Sequence, residues 1–497
     1  MADLGLEACF EEIEAEFGQL LILGDGGQAC RWIGAVEIAA RQRGRGWGRM
    51  GCGRGVGDIS VRQARGRREA GAIQRAGGRR GQLVAGDGRG GGGRDGLADR
   101  GDGAMVEGRM GRTFADRYRE IEGGLGGAVP RLARLLAPVG TGGLEQMAAE
   151  AARVGRRHFG RTVRLFAPLY LSNECVNNCA YCGFSRDNPI LRATLREEQV
   201  VAEAAHLVGK GFRSLLLVAG EHPKFVSNGY LERCIGLVRD LVPSVALEVG
   251  PMEAEEYRLM VGAGCEALVV YQESYDRDAY ARYHTAGPKK DFDWRLECPE
   301  RAVAAGFRRV GLGVLLGLAD WRREAMALGA HLDFLQRRGW RASYTVSFPR
   351  LRPAAGGFEP RHPVGDREYV QLLCAFRIAF PEVGLVVSTR EPEGLRDALI
   401  PLGVTHMSAG SHTEPGGYTG QGAEDLHLTV RGRRVELEDV AAGAVATEQF
   451  GIADRRSVEE VAEAVRAAGL EPVWKDWDRG ILVGERMGAM LAREVAV

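Results

Sequence analysis

From Arg161 onward the chain alternates short apolar runs with stretches whose apolar residues recur at three- and four-residue spacing. The runs are VRLFAPLYLS, SLLLVAG, VALEVG, ALVVYQE, RVGLGVLL, YTVSFPR, LVVSTRE and VTHMSAGS, eight in all. Between them lie segments such as LREEQVVAEAAHLVGKG and DREYVQLLCAFRIAF, which carry the helical period. Repeated strand and helix units predict an α/β fold with a parallel sheet. Eight such units closing on themselves make a (βα)8 TIM-type barrel, whereas an open doubly wound sheet needs a reversal point that the pattern does not display. Helix punctuation agrees. Thr194 followed by Glu197 reads as a capping box, and Gly209 and Gly211 sit where that helix should stop, so the next strand begins near Ser214.

The first part of the chain is different. Residues 1–109 are saturated with Gly and Arg, as in RQRGRGWGRMGCGRGVGD, and hold no apolar period of two or 3.6. Clustered arginines can bind phosphate, but this composition fits a disordered tail, or a start assigned too early, better than a nucleic-acid arm. Met110 opens a charged amphipathic pattern, MGRTFADRYREI, and is taken as the true start. The expected organisation is a helical extension over 110–162, a barrel over 163–480 and a tail over 481–497.

Composition narrows the function. With 497 residues, 45% of them hydrophobic, the chain can bury a large core. Lys plus Arg and Asp plus Glu both number 66, which gives no argument for nucleic acid as a partner and favours a small substrate. No stretch approaches the roughly 20 apolar residues of a membrane helix, and no basic segment with an apolar h-region opens the chain, so a cytoplasmic protein is expected. Ten cysteines are too few and too irregular for a disulfide scaffold, so a cluster among them points to metal or catalysis.

One cluster exists. LYLSNECVNNCAYCGFS places Cys175, Cys179 and Cys182 on the loop after the first strand, at the face where barrel active sites sit. Three thiolates can hold a [4Fe-4S] cluster with one iron left open to a small chelating molecule. The competing readings are zinc completed by a distant His, and three unrelated loop cysteines. Cys234, Cys265, Cys298 and Cys374 are scattered without a Cys-x2-Cys pair and read as packing residues. Polar groups close several other strands: Gly220 and Glu221, Gln272 and Glu273, Arg350, Arg390 and Ser408. Each has a structural alternative, a helix N-cap for Glu221 and a surface salt bridge for the nearby Arg295 among them. No phosphate motif accompanies Arg350 and Arg390, so an amino-acid carboxylate is their natural partner.

Cys-x3-Cys-x2-Cys with an aromatic, Tyr181, before the last cysteine resembles the radical S-adenosylmethionine (SAM) superfamily signature. The resemblance implies that SAM chelates the open iron and is cleaved by one electron to methionine and a 5'-deoxyadenosyl radical. It further implies that Gly220 and Glu221 meet SAM's ammonium, Glu273 its ribose hydroxyls and Arg295 its carboxylate. The glycine-rich fifth strand, with Gly311 and Gly313, would let adenine approach the backbone. In radical SAM lyases of aromatic amino acids a late arginine clamps the substrate carboxylate. That role falls to Arg390 beside Ser408, with Arg350 as second choice.

Longer stretches, PLYLSNECVNNCAYCGFS, VVYQESY, DFDWRLE, SFPRLRP, EPGGYTG and PVWKDWD, resemble the 2-iminoacetate-forming tyrosine lyases of thiamine synthesis over residues 110 to 480. The resemblance implies that L-tyrosine is cleaved between Cα and Cβ to 2-iminoacetate (dehydroglycine) and p-cresol. It implies a thiazole synthase that receives the product and a flavodoxin- or ferredoxin-type electron donor. The alternatives are a tryptophan lyase, separable only by pocket shape, a hydrogenase-maturation tyrosine lyase, which carries further C-terminal cysteines where this chain has none after Cys374, and a non-catalytic SAM- or metal-binding subunit. A departure from the pattern, between Thr419 and Arg456, is expected to form a loop or small flap at the barrel mouth.

Overall fold

The computed structural model describes residues 127–435 and 444–475. The Gly/Arg-rich tail, the proposed start at Met110 with the RTFADRYREI segment, and the tail from 481 lie outside the described residues.

Each of the eight apolar runs forms a strand: β1 (Thr162–Ser172), β2 (Ser214–Ala219), β3 (Ser244–Glu248), β4 (Ala267–Val269), β5 (Arg309–Gly313), β6 (Ser343–Ser347), β7 (Gly384–Val387) and β8 (His406–Ser408). All neighbours pair in parallel, and β8 returns to β1 with Arg164, Leu165 and Phe166 opposite His406, Met407 and Ser408. The sheet is therefore a closed barrel. A further strand, Glu471–Val473, joins the start of β1 in parallel.

The strands are apolar on both faces because helices cover the outside and side chains fill the inside. Alternation decides which residues face inward. Ala246 of β3, Ala267, Val269 and Tyr271 on β4 and its extension, and Gly311 of β5 line an internal cavity of about 60 Å³. Isolated bridges carry the pairing past the regular strands, Glu273 to Val314 and Leu316 to Arg350, so the rim remains ordered above β4, β5 and β6.

Helix punctuation differs from expectation in one detail. The helix Glu197–Gly209 is capped at Arg196, whose N–H donates to Gln199 Oε1 at 2.6 Å. Thr194 instead shares a hydrogen bond with Ser172 Oγ at 2.7 Å, because a bridge between Ser172 and Thr194 holds it extended against the end of β1. The helix does end at Gly209, with Gly211 at φ +98°.

Two helices precede the barrel. Ala128–Leu136 buries Val129, Leu132 and Leu136 at helical spacing, and Gln371 closes its C-terminus by donating to the carbonyls of Leu135 and Ala137 at 2.9 and 2.7 Å. Thr141–Phe159 runs against the turn before β8, where a Cβ at Gly155 would lie 2.7 Å from the Gly403 Cα. Among the described residues no helix is long and apolar enough to cross a membrane.

These contacts separate two glycines. Gly155→Ala meets backbone that cannot yield and should destabilise by about 1–3 kcal/mol. Gly236→Ala, in the helix Asn228–Leu241 with nothing within 4 Å of its new methyl, should stabilise by about 0.5–1 kcal/mol. Urea midpoints moving in opposite directions would bear this out, and a common direction would refute it.

Candidate active site

The loop after β1 is held from beneath by polar groups that leave water entirely. Asn173 donates to the carbonyls of Leu191 and Thr447 at 2.9 and 3.0 Å and accepts from Ala193 N–H at 2.9 Å. The guanidinium of Arg192, 1% exposed, donates to the carbonyls of Asn173, Phe184 (3.1 Å) and Ser185 (2.9 Å) and to Thr429 Oγ1. A buried carbonyl without a donor is costly, so this one side chain gathers the loop's acceptors into a fixed shape.

Gly220, just past β2, supplies the clearance. A Cβ there would sit 2.3 Å from the Glu174 carbonyl oxygen and 3.2 Å from the Cys175 Cβ. Beside it Val176 N–H donates to the Glu221 carbonyl at 2.8 Å, and Asn177 Nδ2 to the Glu221 carboxylate at 2.7 Å. Cys179 lies in a two-residue strand paired antiparallel with His284–Ala286, and the turn from Cys179 to Cys182 is closed by a 3.2 Å backbone bond.

All three cysteines are free thiols, Cys179 buried and the others half-buried. Burial pushes the thiols of Cys175 and Cys179 up, and the neighbouring cysteine sulfurs push further in the same direction. Iron relieves that situation by replacing the protons. No group of three His, Cys, Asp or Glu among the described residues is drawn together tightly enough for one metal ion. A cubane takes each thiolate on a separate iron and so tolerates the wider triad, which zinc does not. The donor set fits a [4Fe-4S] cluster.

Behind the loop, Tyr181 O–H donates to His284 Nε2 at 2.7 Å, and His284 Nδ1 donates to the Tyr280 carbonyl at 2.8 Å. Burial holds His284 neutral, its pKa lowered to about 3. Glu273 stands at φ +72° above β4, a conformation costly for a side chain with a Cβ. Its carboxylate pairs with Lys289 at 2.6 Å and Arg295 at 3.6 Å. Burial alone would raise its pKa, but these two cations outweigh burial and keep it below the ordinary value. Arg295 also donates to the Tyr271 carbonyl at 2.7 Å. The turn that follows is fixed by Glu324, which accepts from Ser274 Oγ and from Tyr275 N–H at 2.7 Å.

The two candidate arginines have different surroundings. Arg350 is engaged with Glu391 through Nε at 2.7 Å and with Asp366 at 2.7 Å. Arg390 stacks on Phe450 with 3.3 Å from Cζ to the ring centroid, and its guanidinium makes no hydrogen bond or ion pair with any described residue. Ser408 Oγ accepts from Thr389 N–H at 3.0 Å, beside Arg390. Gly311 faces the internal cavity, with its Cβ position 3.1 Å from Thr345 Oγ1, whereas the clearing at Gly313 is taken by the Tyr271 ring, 2.6 Å from where a Cβ would stand.

Of the stretch between Thr419 and Arg456, the described residues 427–435 and 444–451 include groups that lie against the cysteine loop. His427–Val430 pairs with Ile190–Arg192, His427 Nε2 meets Glu174 at 2.7 Å, and Gln449 accepts from Tyr170 O–H at 2.8 Å while its carbonyl accepts from Gly183 N–H at 3.0 Å. Lys289, Arg192, Gln449 and Glu248, which ends β3, were not singled out from the sequence; only the strand-end rule pointed toward Glu248. Tyr275 is buried against His331, His406 lies at the floor beside Thr405, His222 packs on Phe225, and His412 pairs with Glu414 at 2.9 Å.

A closed parallel barrel with a three-thiol loop after its first strand defines the radical SAM barrel class, and residues 169–328 match the model described as Radical SAM superfamily. Residues 347–471 match the Biotin and Thiamin Synthesis associated domain. The chain is 45% identical over 345 residues to 2-iminoacetate synthase of Escherichia coli (strain K12), covering 69% of this chain and 86% of that one. It is 41% identical over 388 residues to 2-iminoacetate synthase of Salmonella typhimurium (strain LT2), covering 74% and 97%. Among solved structures, the FeFe-hydrogenase maturase HydG from Carboxydothermus hydrogenoformans aligns with a TM-score of 0.61 at 31% identity, over 73% of this chain and 80% of that one. The chain belongs to the 2-iminoacetate synthase family. Its cofactors are a [4Fe-4S] cluster and SAM.

Arg192→Met would leave at least three buried carbonyls without that donor, at about 1–3 kcal/mol each. The reconstituted variant should release iron to a chelator faster than the parent and melt at a lower temperature. Unchanged iron release would show that the loop does not depend on this side chain.

Proposed function

We propose that the chain is a radical SAM lyase that cleaves the Cα–Cβ bond of L-tyrosine to 2-iminoacetate and p-cresol for thiamine thiazole synthesis. The observation that carries this reading is the 45% identity to 2-iminoacetate synthase across 86% of that enzyme. When bound, the cluster and SAM supply a 5'-deoxyadenosyl radical that takes hydrogen from the substrate, with release of methionine and 5'-deoxyadenosine.

The chain's own residues bind and orient. Cys175, Cys179 and Cys182 hold the cluster on the loop that Arg192 shapes. Tyr181, locked by His284, forms the wall behind them. Gly220 and Glu221 meet SAM's ammonium, and Gly311 borders the adenine. Glu273, kept ionised by Lys289 and Arg295, can only accept, which suits it to ribose hydroxyls, while the remaining donors of Arg295 face SAM's carboxylate. Arg390 clamps the tyrosine carboxylate with Ser408 beside it, since its donors are not engaged by described residues, unlike those of Arg350.

The product is an imine that water hydrolyses, so direct transfer to a thiazole synthase suits the chemistry. A low-potential flavodoxin- or ferredoxin-type protein supplies the electron.

Anaerobic reconstitution with SAM, reductant and tyrosine should yield p-cresol together with 5'-deoxyadenosine. Arg390→Lys should raise KM for tyrosine by roughly 10- to 100-fold, the scale of about 1.5–3 kcal/mol for hydrogen bonds to a charged group. Arg350→Lys should lower the melting temperature with a smaller change in KM. 5'-Deoxyadenosine without p-cresol would make tyrosine the wrong substrate and point to tryptophan. Neither product from an intact cluster would refute the catalytic reading.

A further inference from the structure

Most charged groups at the barrel mouth are matched. Glu273 holds Lys289 and Arg295, Arg350 holds Glu391 and Asp366, and Glu221 accepts from Asn177. Two are left over. Arg390 stands above β7 with only the Phe450 ring beneath it. Glu248 is the last residue of β3, and its carboxylate has no hydrogen-bond or salt-bridge partner among the described residues.

Strand alternation fixes where Glu248 points. Ala246 lines the barrel interior, so the next residue of that parity is directed inward at the rim. In a ring of eight strands β3 and β7 are four places apart, so Glu248 and Arg390 rise from opposite sides of one opening.

We propose that Glu248 receives the α-ammonium group of the amino-acid substrate while Arg390 receives its carboxylate, making the pair the element that selects a zwitterion over a simple arylalkyl acid. This rests on the reading of the chain as an amino-acid lyase and extends it to the other charged end of the substrate. A guanidinium alone would accept any carboxylate of the right shape. An inward carboxylate left without a partner is a desolvation cost, offset when a cation arrives. The surroundings agree: burial and the charge of Glu273 raise the Glu248 pKa to about 7, against the opposing pull of Arg390, Lys289 and Arg295. Tyr170 and Tyr271 also face it, and burial pushes both phenols up, so neither competes as a cation or a base.

The test is binding without turnover. Reconstituted holoenzyme with SAM and no reductant is titrated calorimetrically with tyrosine, with 3-(4-hydroxyphenyl)propionate, which lacks the amine, and with tyramine, which lacks the carboxylate. The parent should prefer tyrosine to the desamino acid by roughly tenfold or more, the value of one charge-assisted contact. Glu248→Gln should abolish most of that preference by weakening tyrosine and tyramine while leaving the desamino acid unchanged, and Glu248→Asp should restore part of it. Arg390→Lys should weaken the two carboxylates and spare tyramine. If Glu248→Gln and Glu248→Asp bind tyrosine as the parent does, or lose all three ligands equally, or lose SAM instead, the proposal is overturned. A parent that binds tyrosine and releases p-cresol would leave the lyase reading standing in that case. A parent that binds no tyrosine would remove both.

Discussion

Backbone pairing between β1 and β8, Arg164 through Phe166 against His406 through Ser408, turns a sheet into a ring. Everything at the mouth depends on that closure. The cysteine loop leaves from the end of β1, Arg390 from above β7 and Ser408 from β8, and in an open sheet these would lie on far edges instead of around one opening. Closure also satisfies both edges of every strand, which is why runs so apolar can be used without leaving a sticky edge. The N-terminal helices and the strand Glu471–Val473 reinforce the seam: one helix presses on the turn before β8 at Gly403, and the strand lies along Thr162 to Arg164.

Within the ring the distribution of charge separates support from reaction. Buried ionic groups are costly unless paired, and most here are paired or well supplied with hydrogen bonds: Arg396 with Asp454, Arg350 with Glu391, Glu273 with Lys289 and Arg295. Arg192 spends its donors on carbonyls and a hydroxyl. Against that background the guanidinium of Arg390 and the carboxylate of Glu248 stand apart among the described residues. Their neighbours already hold partners, so reorganisation on binding is confined to a few side chains, the condition for a preorganised site.

The fold was readable because eight apolar runs and their helical intervals are periodic signals, and the thiol spacing is a local one. Lys289 was not, since its meaning comes from Glu273, sixteen positions away in sequence and joined through a turn whose shape the pattern does not encode. Arg192 was hidden for the same reason: a charged residue five positions before a helix reads as solvated surface until the carbonyls of Asn173, Phe184 and Ser185 are seen around it. Thr194 shows local preference losing to tertiary demand, because its hydroxyl serves Ser172 in preference to the helix end. Gly313 looked like open space for a planar ligand, and the Tyr271 ring takes that space. A glycine reveals that something approaches the backbone and not what it is.

The described parts of the stretch that departs from the expected pattern join the cysteine loop to the residues above β7. Its strand His427–Val430 is laid on Ile190–Arg192, so the buried guanidinium of Arg192 touches that strand at Thr429 and the cysteine loop at three carbonyls. Gln449 then reaches Tyr170 and the backbone of Gly183, and Phe450 places its ring beneath Arg390. A face-on ring restricts the guanidinium without using its in-plane donors, so Phe450 orients Arg390 and leaves its hydrogen-bond donors uncommitted. The described residues of this stretch thereby touch both the wall of the cysteine loop and Arg390.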